Sequence, residues 1–330
     1  MRRLYLFLIL VMAGRCLAQS DDTMGFLLSP KLGQQKISAN YAVDHHFQED
    51  AGPGDREMGF TKHGMSFRLP LSQDETREWT VGGGVGVLDF DTNAIFPDSS
   101  CLWRADRFPG ELWDLRLDTT YRWRMENGWI AGGQLAVNSP SDRPFASLEE
   151  MAVMFNAFAR IPQGESDAWV LFLNYSSNRE FLQHIPIPGA GYQLKRERLS
   201  ALLGLPLSNV HVEPLDWLHL DASYFIPRTI HGQVSVLPIE TVRFYAGYHW
   251  TNNRFLRHDR ADDDDRLFYY EQNVKGGVEW KITEWMSVDV HGGYAFNRLF
   301  FEGEEYDDRD QNRIDMDDGP FLGAQIAVRF

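Results

Sequence analysis

Cysteine is almost absent: Cys16 and Cys101 are the only two in 330 residues. That excludes a scaffold stapled by disulfides. Positive charge is also scarce, with 32 Lys and Arg against 47 Asp and Glu and a net charge of -15. A nucleic-acid binder needs a clustered basic surface that releases counterions, so nucleic acid is excluded as a partner. Beyond residue 19 there is no apolar run of the ~20 residues that a membrane-spanning helix requires. Catalytic signatures such as G-x-S-x-G are missing too. What is plentiful is aromatic: 22 Phe, 12 Tyr and 10 Trp, with 28 Gly and a hydrophobic share of 43%. Such a chain is too apolar to stay disordered.

The first residues read as an address. Met1-Arg2-Arg3 is a positive start, and Leu4 to Ala13 is an apolar core of signal-peptide length. Cys16-Leu17-Ala18 supplies the small residues a signal peptidase reads, so 1–18 is expected to be a signal peptide cut after Ala18. Arg15 interrupts the stretch and argues against a membrane anchor. Residues 19–35 are then a short N-terminal segment, and 36–330 a single domain. Once Cys16 is removed, Cys101 has no partner within the chain.

The remainder alternates with a period of two, the signature of strands whose successive side chains face opposite ways. At the end of the chain Leu322, Ala324, Ile326, Val328 and Phe330 share one face. In 112–124, Trp113, Leu115, Leu117, Tyr121 and Trp123 oppose Asp114, Arg116, Asp118 and Arg122. About 14 such strands are predicted, within a range of about 12 to 16. They fall at 36–47, 58–71, 78–90, 111–124, 128–138, 148–161, 167–176, 190–203, 216–226, 230–238, 240–255, 266–282, 285–301 and 318–330. Short and long polar links take turns between them, as in transmembrane β-barrels with tight turns on one side and long loops on the other. Two links break this rhythm: 204–215 is too long for its place and 227–229 too short.

Trp79, Trp123, Trp129, Trp169, Trp217, Trp280 and Trp285 all flank links on the short-turn side. Indole has an apolar body and one polar N–H, so a row of Trp at one depth, with Phe330, is expected to form a membrane-interface girdle. The predicted fold is therefore all-β: a closed antiparallel transmembrane β-barrel. A secreted soluble sandwich is the competing architecture, but its tryptophans would not track turn length.

Phe330 closing an alternating strand resembles the assembly signal of Gram-negative outer-membrane barrels. Pro186-Ile187-Pro188-Gly189-Ala190-Gly191-Tyr192, Phe268-Tyr269-Tyr270-Glu271, Gly293-Tyr294-Ala295-Phe296-Asn297-Arg298 and Phe301-Glu302-Gly303-Glu304 resemble a family of uncharacterised bacterial outer-membrane β-barrel proteins. The resemblance covers about 185–330, and the N-terminal half only through strand pattern. It implies the barrel fold, the outer membrane as location, and outer-membrane lipids and the export and barrel-assembly machinery as partners. It implies no activity, no catalytic residue and no cofactor.

With aromatic faces toward lipid, the opposite faces line the lumen. Asp114, Arg116, Asp118, Arg243, Glu271, Lys275, Asp289 and His291 are the lumen-lining candidates, because a charge facing mid-membrane lipid costs roughly 2–4 kcal/mol. Arg243, Glu271, Lys275, Asp289 and His291 lie on consecutive strands and are expected to form one lateral patch. Such a lining provides either selectivity or a ladder of cross-strand ion pairs that holds the wall together. The expected role is a passive channel for small solutes with weak cation preference. The alternatives are a closed barrel with a structural or surface-interaction role through acidic loops, and, behind both, an outer-membrane hydrolase.

Acid gathers in 48–57, in 259–265 and in 302–318. Asp308-x-Asp310-x-Asn312 resembles the start of a calcium loop, but Arg313 stands at the turn glycine and Gly319 at the closing glutamate. These three are therefore weak metal candidates, and at most loose divalent-cation binding is expected. Gly82-Gly83-Gly84-x-Gly86 lies within a strand pattern with no helix after it, so it is not a phosphate cradle. No enzyme activity and no cofactor are expected.

Overall fold

A computed structural model describes residues 31–330 apart from 97–106, 180, 181, 183, 227, 228, 261 and 311. The expected signal peptide, Cys16 and Cys101 lie outside the described residues.

Seventeen strands follow in chain order: β1 (Ser38–Asp50), β2 (Glu57–Gln73), β3 (Arg77–Thr92), β4 (Glu111–Arg124), β5 (Ile130–Ser141), β6 (Ala152–Gln163), β7 (Asp167–Ser176), β8 (Ile187–Arg196), β9 (Leu199–Leu205), β10 (Leu207–Leu215), β11 (Leu218–Phe225), β12 (Thr229–Ile239), β13 (Val242–Phe255), β14 (Arg266–Thr283), β15 (Met286–Gly303), β16 (Ile314–Met316) and β17 (Gly319–Arg329). Each of β1 to β15 pairs antiparallel with the next, β15 pairs with β17, and β17 pairs with β1. The sheet closes on itself, which leaves no wall strand with an unpaired edge. Sixteen strands form the wall, and the three-residue β16 pairs only along the end of β15.

The all-β closed antiparallel barrel stands, but the count of about 14 strands is corrected to sixteen plus one. Both missed strands come from one region. The expected strand 190–203 is two strands, β8 and β9, joined at Glu197-Arg198. The anomalous link 204–215 contains β10, with the chain reversing at Pro206 after a cis peptide bond. Long loops and tight turns then sort to the two ends of the barrel, except that the β9–β10 and β11–β12 connections are tight on the loop end. By contrast, the expected 111–124 and 167–176 coincide with β4 and β7.

The faces follow the pleat. Leu117 is 60% exposed and its neighbour Asp118 only 7%. Leu135, Leu171, Leu203, Phe244, Val290 and Leu322 are likewise exposed on the outer surface. The outside of the wall is thus a continuous apolar band. Trp79, Trp123, Trp129, Trp169, Trp217, Trp280, Trp285 and Phe330 are all exposed at the turn end, where Phe330 stacks on Trp285 at 5.4 Å.

The inside is not uniformly polar. On β7 the inward residues Val170 and Phe172 are as apolar as the outward Trp169, Leu171 and Leu173. With Ile130, Phe158, Leu202, Leu207 and Phe225 they make an apolar patch on the inner wall of β5 to β11. The rings of Phe158 and Phe172 lie over Gly132 and Gly189, where any Cβ would overlap them. Leu32 joins this patch, bringing the N-terminal segment into the turn-end mouth. There the Gly33 N–H donates to Glu78 at 3.1 Å and Arg122 donates to the carbonyl of Lys31.

Candidate functional site

The lumen and its loop-end mouth form the candidate site. Inward charges stand on alternate residues of neighbouring strands, so several find a partner one strand away. Asp118 accepts from Gln134 at 3.1 Å, Gln134 from Asn156 at 3.0 Å, and Asn156 from Asn174 at 2.6 Å. Arg179 closes this amide ladder on Asn174 at 2.6 Å. Asp114 accepts from Asn138 at 3.1 Å, and Arg116 lies 3.4 Å from Asp118. Nearer the turn end, the buried pair Arg122–Glu78 is 2.8 Å apart. The strand glycines Gly82, Gly84 and Gly86 face inward beside these groups, and a Cβ on Gly82 would sit 3.1 Å from the Asp118 carboxylate. Gly82 thereby opens room for the charged side chain beside it.

All eight lumen-lining candidates stand on the inner face, and Tyr245 links Arg243, whose guanidinium lies 5.7 Å from its ring, to Asp289. Arg243 pairs with Glu279 at 2.5 Å near the turn end. Asp289 accepts from Tyr245 at 2.9 Å and contacts His291 at 2.6 Å, and the other nitrogen of His291 reaches Asp44 at 2.7 Å. Glu271 accepts from Lys62 at 3.1 Å, from Asn273 at 2.9 Å and from the Tyr269 hydroxyl. Lys275 projects from β14 between Gly247 and Gly293 of the adjoining strands. Sequence reasoning missed Asp44, His46 and Lys62, which come from β1 and β2. These strands join β15 only through β17, across the closure of the barrel. The inward parity of β1 and β2 was readable; their approach to β14 and β15 across the closure was not.

At the loop end, buried apolar side chains narrow the mouth. The inward residues Met58, Phe60, Leu88, Phe90, Leu112, Phe255, Leu267, Tyr269 and Phe300 form one buried apolar cluster. Ala94, Phe96 and Phe108 of the β3–β4 loop fold into it, with Phe108 4.9 Å from both Phe90 and Phe300. A bulge at Asn297, with a φ of 50°, lets β15 place Arg298 and Phe300 inward after Ala295. Contacts also span the diameter. The N–H of Leu256, just after β13, donates to the carbonyl of Pro140 on β5 at 2.6 Å. His258 donates its backbone N–H to Asp142 at 2.8 Å, and its ring lies 2.9 Å from Glu150. Burial pushes the Glu150 carboxyl up, but its bonds to His258 and Ser147 outweigh this and hold it below the usual carboxylate range. Arg257 pairs with Asp259 at 3.0 Å and with Glu302, and its guanidinium lies 5.1 Å from the Phe96 ring.

The acidic loops are partly self-neutralised. Asp308 accepts from the backbone of Glu304 and Glu305, Asp310 pairs with Arg313 at 3.3 Å, and Asn312 donates to Glu302. These three side chains are thus each engaged with other groups of the loop region. Burial, Asp262 and Glu302 together push the Asp265 carboxyl up, so two of the acidic loops meet there. Among the described residues, one group does converge: His211, Glu213 and His219 each place a ligand atom within 4.8 Å of the others. The alternation His211-x-Glu213 was the signal, hidden because 204–215 read as a link.

No family model matches the chain, and no curated protein matches it. Solved structures do resemble it. An outer-membrane channel from Pseudomonas putida F1 aligns over 90% of this chain and 96% of its own, at 11% identity and a TM-score of 0.37. The P. putida toluene transporter TodX aligns over 89% and 90%, at 8% identity and a TM-score of 0.39. OmpT, an outer-membrane protein of Vibrio cholerae, aligns over 89% and 96%, at 11% identity and a TM-score of 0.32. At these scores the likeness carries no argument about what this chain does.

Proposed function

We propose that this chain is an integral outer-membrane β-barrel that acts as a gated passage for small solutes, with the turn end toward the periplasm. The closed wall, the apolar outer band and the row of exposed tryptophans at one end support the membrane reading, since only helices and closed barrels satisfy their backbone in lipid. A sixteen-strand wall is wide enough for an aqueous lumen. The observation that carries the gate is the contact across the diameter at Leu256 and Pro140. Many inward charges pair with one another, and the acidic outer loops are where we place any bias toward cations.

The test is single-channel recording of the refolded barrel in a planar bilayer. The wild-type chain is expected to be mostly silent with brief openings. A variant with 94–108 replaced by a short Gly-Ser linker is expected to conduct in stable steps, with a reversal potential near zero in a salt gradient. A folded linker variant that stays silent would favour the second reading, a permanently closed barrel with a structural or surface role.

A further inference from the structure

Six histidines face the lumen: His46 on β1, His211 on β10, His219 on β11, His231 on β12, His249 on β13 and His291 on β15. Most are absorbed into contacts along the wall. His291 bridges two aspartates, and His231 stacks on His249 at 4.2 Å. His46 stacks between Phe60 and Phe321. His211 and His219 are different. They sit on the two strands of one tight hairpin at the turn end, at the mouth of the lumen, and their rings are 5.6 Å apart. The side chains of His211, Glu213 and Asp221 remain about 38–41% exposed, open to lumen water.

We propose that His211, Glu213 and His219 bind a divalent transition metal of the Zn²⁺ or Cu²⁺ class. The donor set is two imidazoles and one carboxylate, which suits these borderline ions and not Ca²⁺ or Mg²⁺, whose ligands are all oxygen. Three protein ligands leave a coordination position open to water or a passing solute. The donor atoms already lie within 4.8 Å of one another. Ligand bonds of about 2.0–2.2 Å require them to close by about an ångström, which side-chain rotation supplies.

The surroundings favour this use. Asp221, directly opposite His211 across the β10–β11 pair, holds its Nδ1 at 2.6 Å. A carboxylate on one ring nitrogen fixes the ring and directs the other nitrogen to a metal, the arrangement typical of histidine ligands. That other nitrogen, Nε2, now contacts Glu213 at 3.0 Å. Ligand and ligand thus already face each other, and an ion entering between them replaces one contact by two bonds. The inference concerns the hairpin alone and does not depend on whether the lumen conducts.

The experiment uses the full barrel, refolded in detergent without a polyhistidine tag, stripped with chelator and titrated with Zn²⁺ by calorimetry. One ion per chain is expected. His211→Ala and His219→Ala are each expected to weaken binding by more than tenfold, and Asp221→Asn by about 10–100-fold, as for other carboxylate partners of ligating histidines. The paired change His231→Ala/His249→Ala is expected to leave affinity unchanged. Cu²⁺ loading gives a second readout: the nitrogen hyperfine pattern of two imidazoles should fall to that of one in His219→Ala. Heat-modifiable migration verifies that each variant is folded. Absence of wild-type binding, or binding that follows His231 and His249 in place of His211 and His219, overturns the proposal.

Discussion

Leu256 and Pro140 share a backbone hydrogen bond of 2.6 Å although Leu256 directly follows β13 and Pro140 lies on β5, strands eight places apart in a ring of sixteen. Opposite walls of a wide barrel touch only if something draws them together. Here the draw is the apolar cluster beneath, to which Phe255 belongs, and the polar contacts of His258 above. Both groups give up water on burial, and each left unpaired there would cost about 1–3 kcal/mol.

Phe108 anchors the end of the β3–β4 loop, in edge contact with Phe90 and Phe300. Replacing a buried Phe by Ala costs about 3–5 kcal/mol where the gap cannot collapse. Phe108→Ala is expected to release the loop and leave the wall intact. Open-channel time should rise sharply in bilayer recordings while the heat-modified gel shift stays as in the wild type. A variant whose barrel itself fails to survive detergent would place Phe108 in the wall's stability and not in the gate.

The Glu150 carboxyl is held low, so its contribution is complete above the ordinary glutamate value of about 4.3 and is lost as pH falls through the depressed one. The contact with His258 and the closure it supports should therefore hold from neutrality down to the carboxylate range and fail below it. Conductance recorded from neutral to strongly acidic pH should rise only at the acid end. Glu150→Gln should be open already at neutral pH and flat across the series.

Glu271 is 1% exposed and its cation, Lys62, only 12%. Removing one partner of a buried ion pair strands the other and costs about 3–5 kcal/mol, whereas replacing both by apolar groups is often neutral. Lys62→Met is expected to lower the temperature at which the folded band converts on a gel. Lys62→Met/Glu271→Leu should restore most of the loss. Equal losses in the two variants would show that Tyr269 and Asn273 satisfy the carboxylate without Lys62.

The exposed tryptophans at the turn end should share one membrane depth. In vesicles with bromine at different acyl positions, quenching of Trp280 and Trp285 should be strongest with bromine nearest the headgroups. Maximal quenching from the bilayer centre would remove the girdle and, with it, the assigned orientation.

Strand faces were legible because alternation is local: a residue such as Asp118 between Leu117 and Thr119 has only one way to point in a pleated wall. The two missed strands failed for an equally local reason. Glu197-Arg198 turns the chain with neither Gly nor Pro nor Asn to mark it, while Gly204 and Pro206 mark a loop where only a single tight reversal occurs. Partners such as Lys62 with Glu271, 209 residues apart, left no trace in either neighbourhood.

By itself the sequence determined the period-two pattern, the acidic charge, the apolar outer faces and the tryptophan row, each a property of neighbours along the chain. Only the tertiary structure decided that the ring closes at β17 and β1, that Leu256 meets Pro140 across the loop-end mouth, and that His211, Glu213 and His219 converge. Those depend on register and on contact across the lumen, which packing sets between residues far apart in the chain, and no window of sequence contains both sides.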